Sequence, residues 1–134
     1  METKKYIVLK NLEVYKLSRE LSKIGWEIYD ELNWQDKKII GDQFIESTDS
    51  VGANIAEGYN SFPFLDRIRF YYNARGSLAE AAEHWLELLD ERKKISKEKY
   101  QKFKTVANKL SIKLNNFISS TYKAKKITNL YKYP

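Results

Sequence analysis

The sequence predicts an all-α protein, an antiparallel up-down-up-down four-helix bundle, and three observations carry that expectation. Apolar residues recur in steps of three and four along four long segments, the spacing that gives a helix one buried face. Only five glycines and two prolines punctuate 134 residues, so the segments run almost uninterrupted. The intervening turns are short, which leaves each helix antiparallel to the next. A chain of this length fits one domain, here residues 1–134.

Residues 1–10 precede the first periodic segment. Tyr6-Ile7-Val8-Leu9 is too short an apolar run to type by periodicity and is expected to form an extended arm on the body. Asn11 is a suitable N-cap, and Val14, Leu17, Leu21, Ile24 and Ile28 set the seam of a first helix over about 11–32. Asn33-Trp34-Gln35 makes a turn and Asp36 caps a second helix over about 37–58. Its seam is Ile40, Phe44, Ser47, Val51, Asn54 and Gly58, with Gly58 as the C-terminal stop. Pro63 is tolerated in the first turn of a third helix, over about 63–93, whose seam is Tyr71, Ala74, Leu78, Ala81, Trp85 and Leu88. Glu80, Glu83, Glu87, Asp90 and Glu91 gather on its opposite face. Ser96 caps a fourth helix over about 97–123, with Tyr100, Phe103, Ala107, Leu110, Leu114 and Phe117 on its seam, and a basic, tyrosine-bearing tail, 124–134, follows.

Composition narrows the functional classes. With 43% hydrophobic and 31% charged residues the chain has enough apolar surface for a core and is not of the disordered type. It has no cysteine, hence no disulfide, thiolate nucleophile or cysteine-ligated zinc. No apolar run approaches the roughly 20 residues of a membrane span, and the N-terminal apolar run is too short for a signal peptide, so a cytoplasmic location is expected. The net charge of +6 is uneven: residues 1–95 hold 14 basic and 17 acidic side chains, whereas residues 96–134 hold 10 lysines and one glutamate.

Two segments of very small residues stand out, Ser50-Val51-Gly52-Ala53-Asn54-Ile55-Ala56-Glu57-Gly58 and Ala74-Arg75-Gly76-Ser77-Leu78-Ala79-Glu80. Glycine inside a helix costs about 1 kcal/mol relative to alanine, so Gly52 and Gly76 are expected to mark close helix crossings. Asn54 is expected as a register-fixing amide on the seam, with Glu57 tying helix two to its neighbours.

With Phe70-Tyr71-Tyr72 between them, these segments resemble the bacterial four helix bundle proteins. They are also called intervening-sequence proteins, because some are encoded inside insertions in large-subunit ribosomal RNA genes. The family pattern is Ser-(Ile/Val)-Pro-Ala-Asn-Ile-Ala-Glu-Gly, an aromatic-rich helix entry, then Ala-x-Gly-Ser-Leu-x-Glu, and the resemblance spans roughly residues 12 to 120. It implies a left-handed up-and-down bundle assembling as a ring-shaped homopentamer. A related basic pentamer is an accessory to the reverse transcriptase of diversity-generating retroelements. The motif so implied as structural comprises Ser50, Gly52, Asn54, Glu57, Gly58, Gly76 and Ser77. The chain departs from the pattern at Gly52, where proline is common. It also departs at Phe44-Ile45-Glu46 and Tyr59-Asn60-Ser61, which flank the motif where basic residues are frequent.

Enzymatic chemistry finds little support. His84 is the only histidine, and the residue three before it is Ala81, so the Glu-x-x-His pairing of a di-iron bundle is missing. No metal or other cofactor is expected. Ser47, Ser50 and Ser77 lie mid-helix, where hydroxyls bond back to their own carbonyls, and a nucleophilic serine needs a sharp turn. Asp42, Glu46, Asp49 and Glu57 share helix two, where a carboxylate pair could in principle do acid–base work; the stronger expectation is that Glu57 and Asn54, one turn apart near the helix end, tie that helix to its neighbours. The glycines are isolated, so no phosphate-cradling loop is present. The lysines are more informative. Lys99, Lys102, Lys109 and Lys113 fall within about 80° on a helical wheel, and Lys123, Lys125, Lys126 and Lys132 continue the charge among Tyr122, Tyr131 and Tyr133. Cations interleaved with aromatics suit phosphate neutralisation and base stacking. The plain alternative is a solvated face paired with the acids of helix three, in the same or a neighbouring subunit. The expectation is therefore a non-enzymatic oligomeric scaffold binding RNA or a nucleoprotein. The alternative is a protein-binding adaptor ring, and neither involves a membrane or a small-molecule substrate.

Overall fold

A computed structural model describes residues 6–61 and 63–132, with side chains described as far as residue 125. Among the described residues there are four long helices and no strand. Helix α1 is Glu13–Glu31. Helix α2 is continuous over residues 34–60, comprising a first turn Trp34–Asp36, a π-helical stretch Lys37–Gly41 and the segment Asp42–Asn60. Helix α3 covers residues 64–91, as Phe64–Ala79, a π-helical stretch Glu80–Trp85, and Leu86–Glu91. Helix α4 is Lys97–Lys132.

The helix ends differ from expectation for local reasons. Asn11 belongs to a 3₁₀ turn, Leu9–Asn11, and α1 starts after Leu12 without a side-chain cap. Asn33, not Asp36, caps α2: its Oδ1 accepts from the Asp36 N–H at 2.8 Å, which draws Trp34 and Gln35 into the helix. Pro63 precedes α3 as its N-cap residue in extended conformation. That helix ends at Glu91, two residues early, where Lys93 turns left-handed (φ 57°) and the Lys94 N–H reaches back to the Leu89 carbonyl at 2.9 Å. Ser96 does cap α4, accepting from the Lys99 N–H at 3.2 Å. Residues 124–132, expected as a tail, continue α4.

Each helix packs on its sequence neighbour, and α4 closes the square on α1. Cross-helix contacts fix every adjacent pair as antiparallel: Ser22 with Asp49 and Tyr29 with Asp42, Ser50 with Ser77 and Gly58 with Tyr71, Tyr100 with Glu87 and Tyr72 with Tyr122, and Lys99 with Glu31 against Lys113 with Glu13. The core between them holds Leu21, Ile28, Phe44, Val51, Ile55, Tyr71, Leu86, Leu89, Phe103, Leu110 and Leu114. Phe44 and Phe103 meet across its middle at 5.2 Å between ring centroids.

The α1 seam is buried at all five expected positions. On α2, Ile55 is fully buried, while Asn54 is only half-buried beside it. On α3 the seam continues from Ala81 and Ala82 to Leu86 and Leu89, leaving Trp85 and Leu88 half-buried. The π-helical stretch accounts for this. A π-bulge inserts an extra residue, which advances the inward face by one position beyond the bulge. Tyr100 and Phe117 of the expected α4 seam are half-buried, and Val106 and Ile118 join its buried face.

The glycines divide sharply. A Cβ on Gly52 would lie 2.9 Å from Ser18 Oγ, so α1 and α2 do approach closely there. A Cβ on Gly58 would lie 2.6 Å from Tyr71 Cε1 and 3.0 Å from Phe70 Cβ. Gly58 is therefore a contact residue for α3 and not the stop of α2, which runs on to Asn60 with Ser61 as its C-cap. Gly76 is exposed, and a Cβ there would meet nothing within 4 Å. The close crossing expected at Gly76 is absent from this protomer.

Candidate nucleic-acid interface

The lysines of the expected surface follow two fates. Lys99 bonds Glu31 at 2.5 Å, Lys102 meets Glu27 at 3.5 Å and Lys113 meets Glu13 at 3.6 Å. These partners lie on α1 and not, as the plain alternative had it within one chain, on helix three. The signal was legible, since Glu13, Glu20 and Glu27 recur every seven residues and share one stripe of α1. Pairing with α3 involves other lysines: Lys104 with Glu87 at 2.8 Å, and Lys97 with Asp90 at 2.8 Å. Lys109 is exposed and makes no ion pair among the described residues. Lys123 is likewise exposed and unpaired among them. The side chains of Lys126 and Lys132 lie outside the described residues, as do those of Tyr131 and Tyr133.

Where the start of α3 meets the later part of α4, cations and aromatic faces come together. Lys125 Nζ stands 4.2 Å over the Phe64 ring, and Phe64 meets Tyr122 edge-on at 5.4 Å. The hydroxyls of Tyr72 and Tyr122 are 3.1 Å apart, and that bond holds the Tyr122 phenol above its ordinary pKa. Arg75 stacks over Tyr72 at 4.8 Å and bonds Asn115 at 3.3 Å, while Arg69 lies over Phe70 at 5.2 Å. Tyr72 and Tyr122 are each about 40% exposed. The cluster joins Lys125 of α4 to Arg75 of α3, with Arg69 stacked on Phe70 elsewhere on α3. Those arginines were not singled out in the sequence, although the alternation Arg67, Arg69, Phe70, Tyr72, Arg75 carries the same basic–aromatic signal.

The small-residue motif forms a polar link between helices. Ser77 Oγ donates to Ser50 Oγ at 2.9 Å, and Asn54 Nδ2 donates to Ser50 Oγ at 2.9 Å and to the Ser50 carbonyl at 2.8 Å. Asn54 thus reaches α3 only through Ser50. Glu57 is exposed, and its carboxylate has no partner among the described residues, so it does not tie α2 to a neighbour. Asp42 and Asp49 do: Tyr29 donates to Asp42 at 2.6 Å, and Ser22 and Trp26 donate to Asp49 at 2.6 and 2.9 Å. Ser47 bonds back to the Phe44 carbonyl at 3.0 Å. His84 is exposed and packs edge-on against Trp85. Among the described residues no three histidine, aspartate or glutamate side chains gather as metal ligands, and no helix is long and apolar enough to cross a membrane.

This geometry defines an all-α four-helix protein with a basic, aromatic surface near one end. Residues 10–116 match the family of 23S rRNA-intervening sequence proteins, and the chain belongs to that family. It is also similar to a solved protein of unknown function from the S23 ribosomal protein family of Bacteroides thetaiotaomicron. The two share 26% identity and superpose with a TM-score of 0.75, over 84% of this chain and 99% of the other. No curated protein matches the chain.

Proposed function

We propose that the protein is a non-enzymatic homo-oligomeric scaffold, a ring of five subunits, that binds RNA or a nucleoprotein. Its contact surface is the junction of α3 and α4, carrying Arg69, Tyr72, Arg75, Tyr122, Lys123 and Lys125. The observation that carries this reading is that Arg75 stands over Tyr72 and Lys125 over Phe64, neither in an ion pair among the described residues, with Lys123 exposed on the same stretch of α4. Phosphates take the cations and unstacked bases take the rings. Lys99, Lys102 and Lys113 are set aside as contacts because each already faces a glutamate of α1. Five copies of a +6 chain put a charge of about +30 on one assembly, which draws polyanions from a distance.

The test compares two triple variants in RNA binding across a salt series. Arg75→Gln with Lys123→Gln and Lys125→Gln is expected to weaken binding and to flatten the log–log salt slope by about one unit for each phosphate no longer neutralised. Replacing Lys99, Lys102 and Lys113 with glutamine is expected to change affinity little. Equal weakening in both variants, or none in the first, would overturn the assignment. A protein-binding adaptor is the second reading, favoured by the groove of Ser18, Ser22, Gly52, Ala53 and Ala56 between α1 and α2. It predicts no RNA binding by the intact assembly at any salt.

A further inference from the structure

Beyond Arg75 the α3–α4 surface continues into a groove of about 200 Å³, kept open by the small residues Ala79, Ala82 and Ala107. Arg75 stands over Tyr72 and also lines this groove, so the basic, aromatic cluster and the groove are continuous. The polar groups of the groove sort by charge along α3. Arg75 and Glu83 both line it, about two turns apart, roughly 12 Å along the helix. The Arg75 guanidinium bonds Asn115 at 3.3 Å and meets no carboxylate among the described residues. Lys104 also lines the groove, but its ammonium is taken up by Glu87 at 2.8 Å and the Ala82 carbonyl at 2.6 Å.

Three polar side chains of the groove are left open. Glu83 is exposed and makes no ion pair or hydrogen bond among the described residues. Asn108 is exposed and Ser111 half-buried, and neither side chain has a hydrogen-bond partner among them. On the same helix Thr105 and Thr121 bond back to the Gln101 and Phe117 carbonyls at 2.8 and 2.9 Å, the ordinary resort of a mid-helix hydroxyl. Ser111 makes no such bond.

This set suits a nucleobase better than a phosphate. A carboxylate repels phosphate, but its two oxygens accept a pair of adjacent N–H donors. Among the four RNA bases only guanine presents such a pair, N1–H and the N2 amino group, on one edge. Adenine and cytosine set an acceptor nitrogen beside their amino group, and uracil flanks its single N–H with carbonyls. Guanine O6, next along that edge, accepts a bond that an asparagine amide can donate. We infer that the α3–α4 groove is a binding site for an unpaired guanine, with N1–H and N2 on Glu83 and O6 on Asn108. The base is unpaired because cytosine occupies the same edge in a duplex, and unpaired bases are the ones whose edges proteins read in RNA. Arg75, at the other end, holds phosphate. The occupant as part of an RNA strand rests on the function proposed above, and a free guanine nucleotide is the other source of the same base.

The experiment uses the full-length assembly and single-stranded RNA decamers, one all uridine, one with a central guanosine and one with inosine there. Inosine lacks only the N2 amino group of guanosine. The wild type is expected to bind the guanosine decamer about tenfold more tightly than the uridine one, and inosine to lose most of that gain. Glu83→Gln is expected to bind all three alike, with uridine affinity equal to or above wild type, because an anion that repels phosphate is gone. Asn108→Ala is expected to keep a reduced preference for guanosine. Arg75→Gln is expected to weaken all three decamers alike, since phosphate contacts carry no sequence information.

Decamers that bind without a guanosine preference overturn the inference and leave the RNA reading standing. A preference that survives in Glu83→Gln overturns it as well. A second arm compares guanosine and inosine monophosphates by thermal shift. If no decamer binds, the RNA reading falls, and a Glu83-dependent preference for guanosine monophosphate assigns the groove to a free nucleotide. No decamer binding and no such preference overturn both.

Discussion

Gly58 and Gly76 sit in similar sequence surroundings, yet the structure gives them opposite roles. The missing side chain of Gly58 is what lets Tyr71 and Phe70 lie against α2. Gly58→Ala is expected to destabilise the protein by about 1–3 kcal/mol through overpacking, despite a better helix propensity. A urea titration showing unchanged stability would refute the contact. Gly76→Ala fills open space on an exposed helix and is expected to raise stability by about 0.5–1 kcal/mol in the same measurement. A decrease there would mean that Gly76 faces a second subunit.

The Tyr100 hydroxyl donates to Glu87 at 2.7 Å, and Lys104 meets the same carboxylate. The Glu87 bond, then burial, push the Tyr100 phenol up to about 12. The Lys104 and Tyr100 bonds hold Glu87 below the usual glutamate range. The raised phenol contributes stability below pH 10 that is lost as pH rises towards 12. The lowered carboxyl contributes stability above its unfolded pKa of 4.5 that is lost as pH falls through the depressed value. Glu87→Gln is expected to return the Tyr100 phenol towards 10 and to remove the acid-side dependence. NMR of ring-labelled tyrosine, with Tyr100→Phe for assignment, checks the phenol, and urea titrations across acid pH check the carboxyl.

At the scale of elements, the π-helical stretch in α3 and the glutamate stripe of α1 decide how helices face one another. The π-helical geometry goes with two further bonds: Trp85 Nε1 donates back five residues to Glu80 at 2.8 Å, and the Ala82 carbonyl accepts from Lys104 Nζ at 2.6 Å. Lys104 therefore joins α4 to α3 through both a carbonyl and Glu87. Along α1 and α4, the three ion pairs lie at the solvent-facing edge and two of them are long, so their combined contribution is small. Replacing Lys99, Lys102 and Lys113 with glutamine is expected to cost less than about 2 kcal/mol in total. The difference from wild type should shrink at about 1 M salt, where the screening length is near 3 Å. A large destabilisation that salt does not reduce would show that these lysines do more than pair with α1.

On the scale of the whole molecule, charge is segregated by helix and then partly neutralised by packing. The basic α4 lies between α1 and α3, and both offer it carboxylates. Cations outside those pairs gather where the start of α3 meets α4, the surface proposed for RNA. The exposed small residues of the motif, Ala53 and Gly76 among them, remain uncovered in one protomer. Sedimentation at micromolar concentration is expected to show an assembly well above the 15.9 kDa of one chain. A single 15.9 kDa species would remove the ring from the proposal.

The sequence by itself determined the four amphipathic segments, their short connections and hence the bundle, because steps of three and four residues are a local property of one chain. It also carried the family motif and the excess of lysine towards the C-terminus. The tertiary structure decided what those residues touch. A π-helical stretch moved the α3 seam by one position after Ala82, choosing Leu86 and Leu89 over Trp85 and Leu88, two sets that hydrophobic spacing alone did not separate. Gly58 and Gly76 could be told apart only once Tyr71 was placed beside the first and nothing beside the second. The glutamates of α1, distant in sequence, took up three lysines that the wheel of α4 alone showed as a free cationic face. Such facts belong to pairs of surfaces, and a linear chain specifies them only after it has folded.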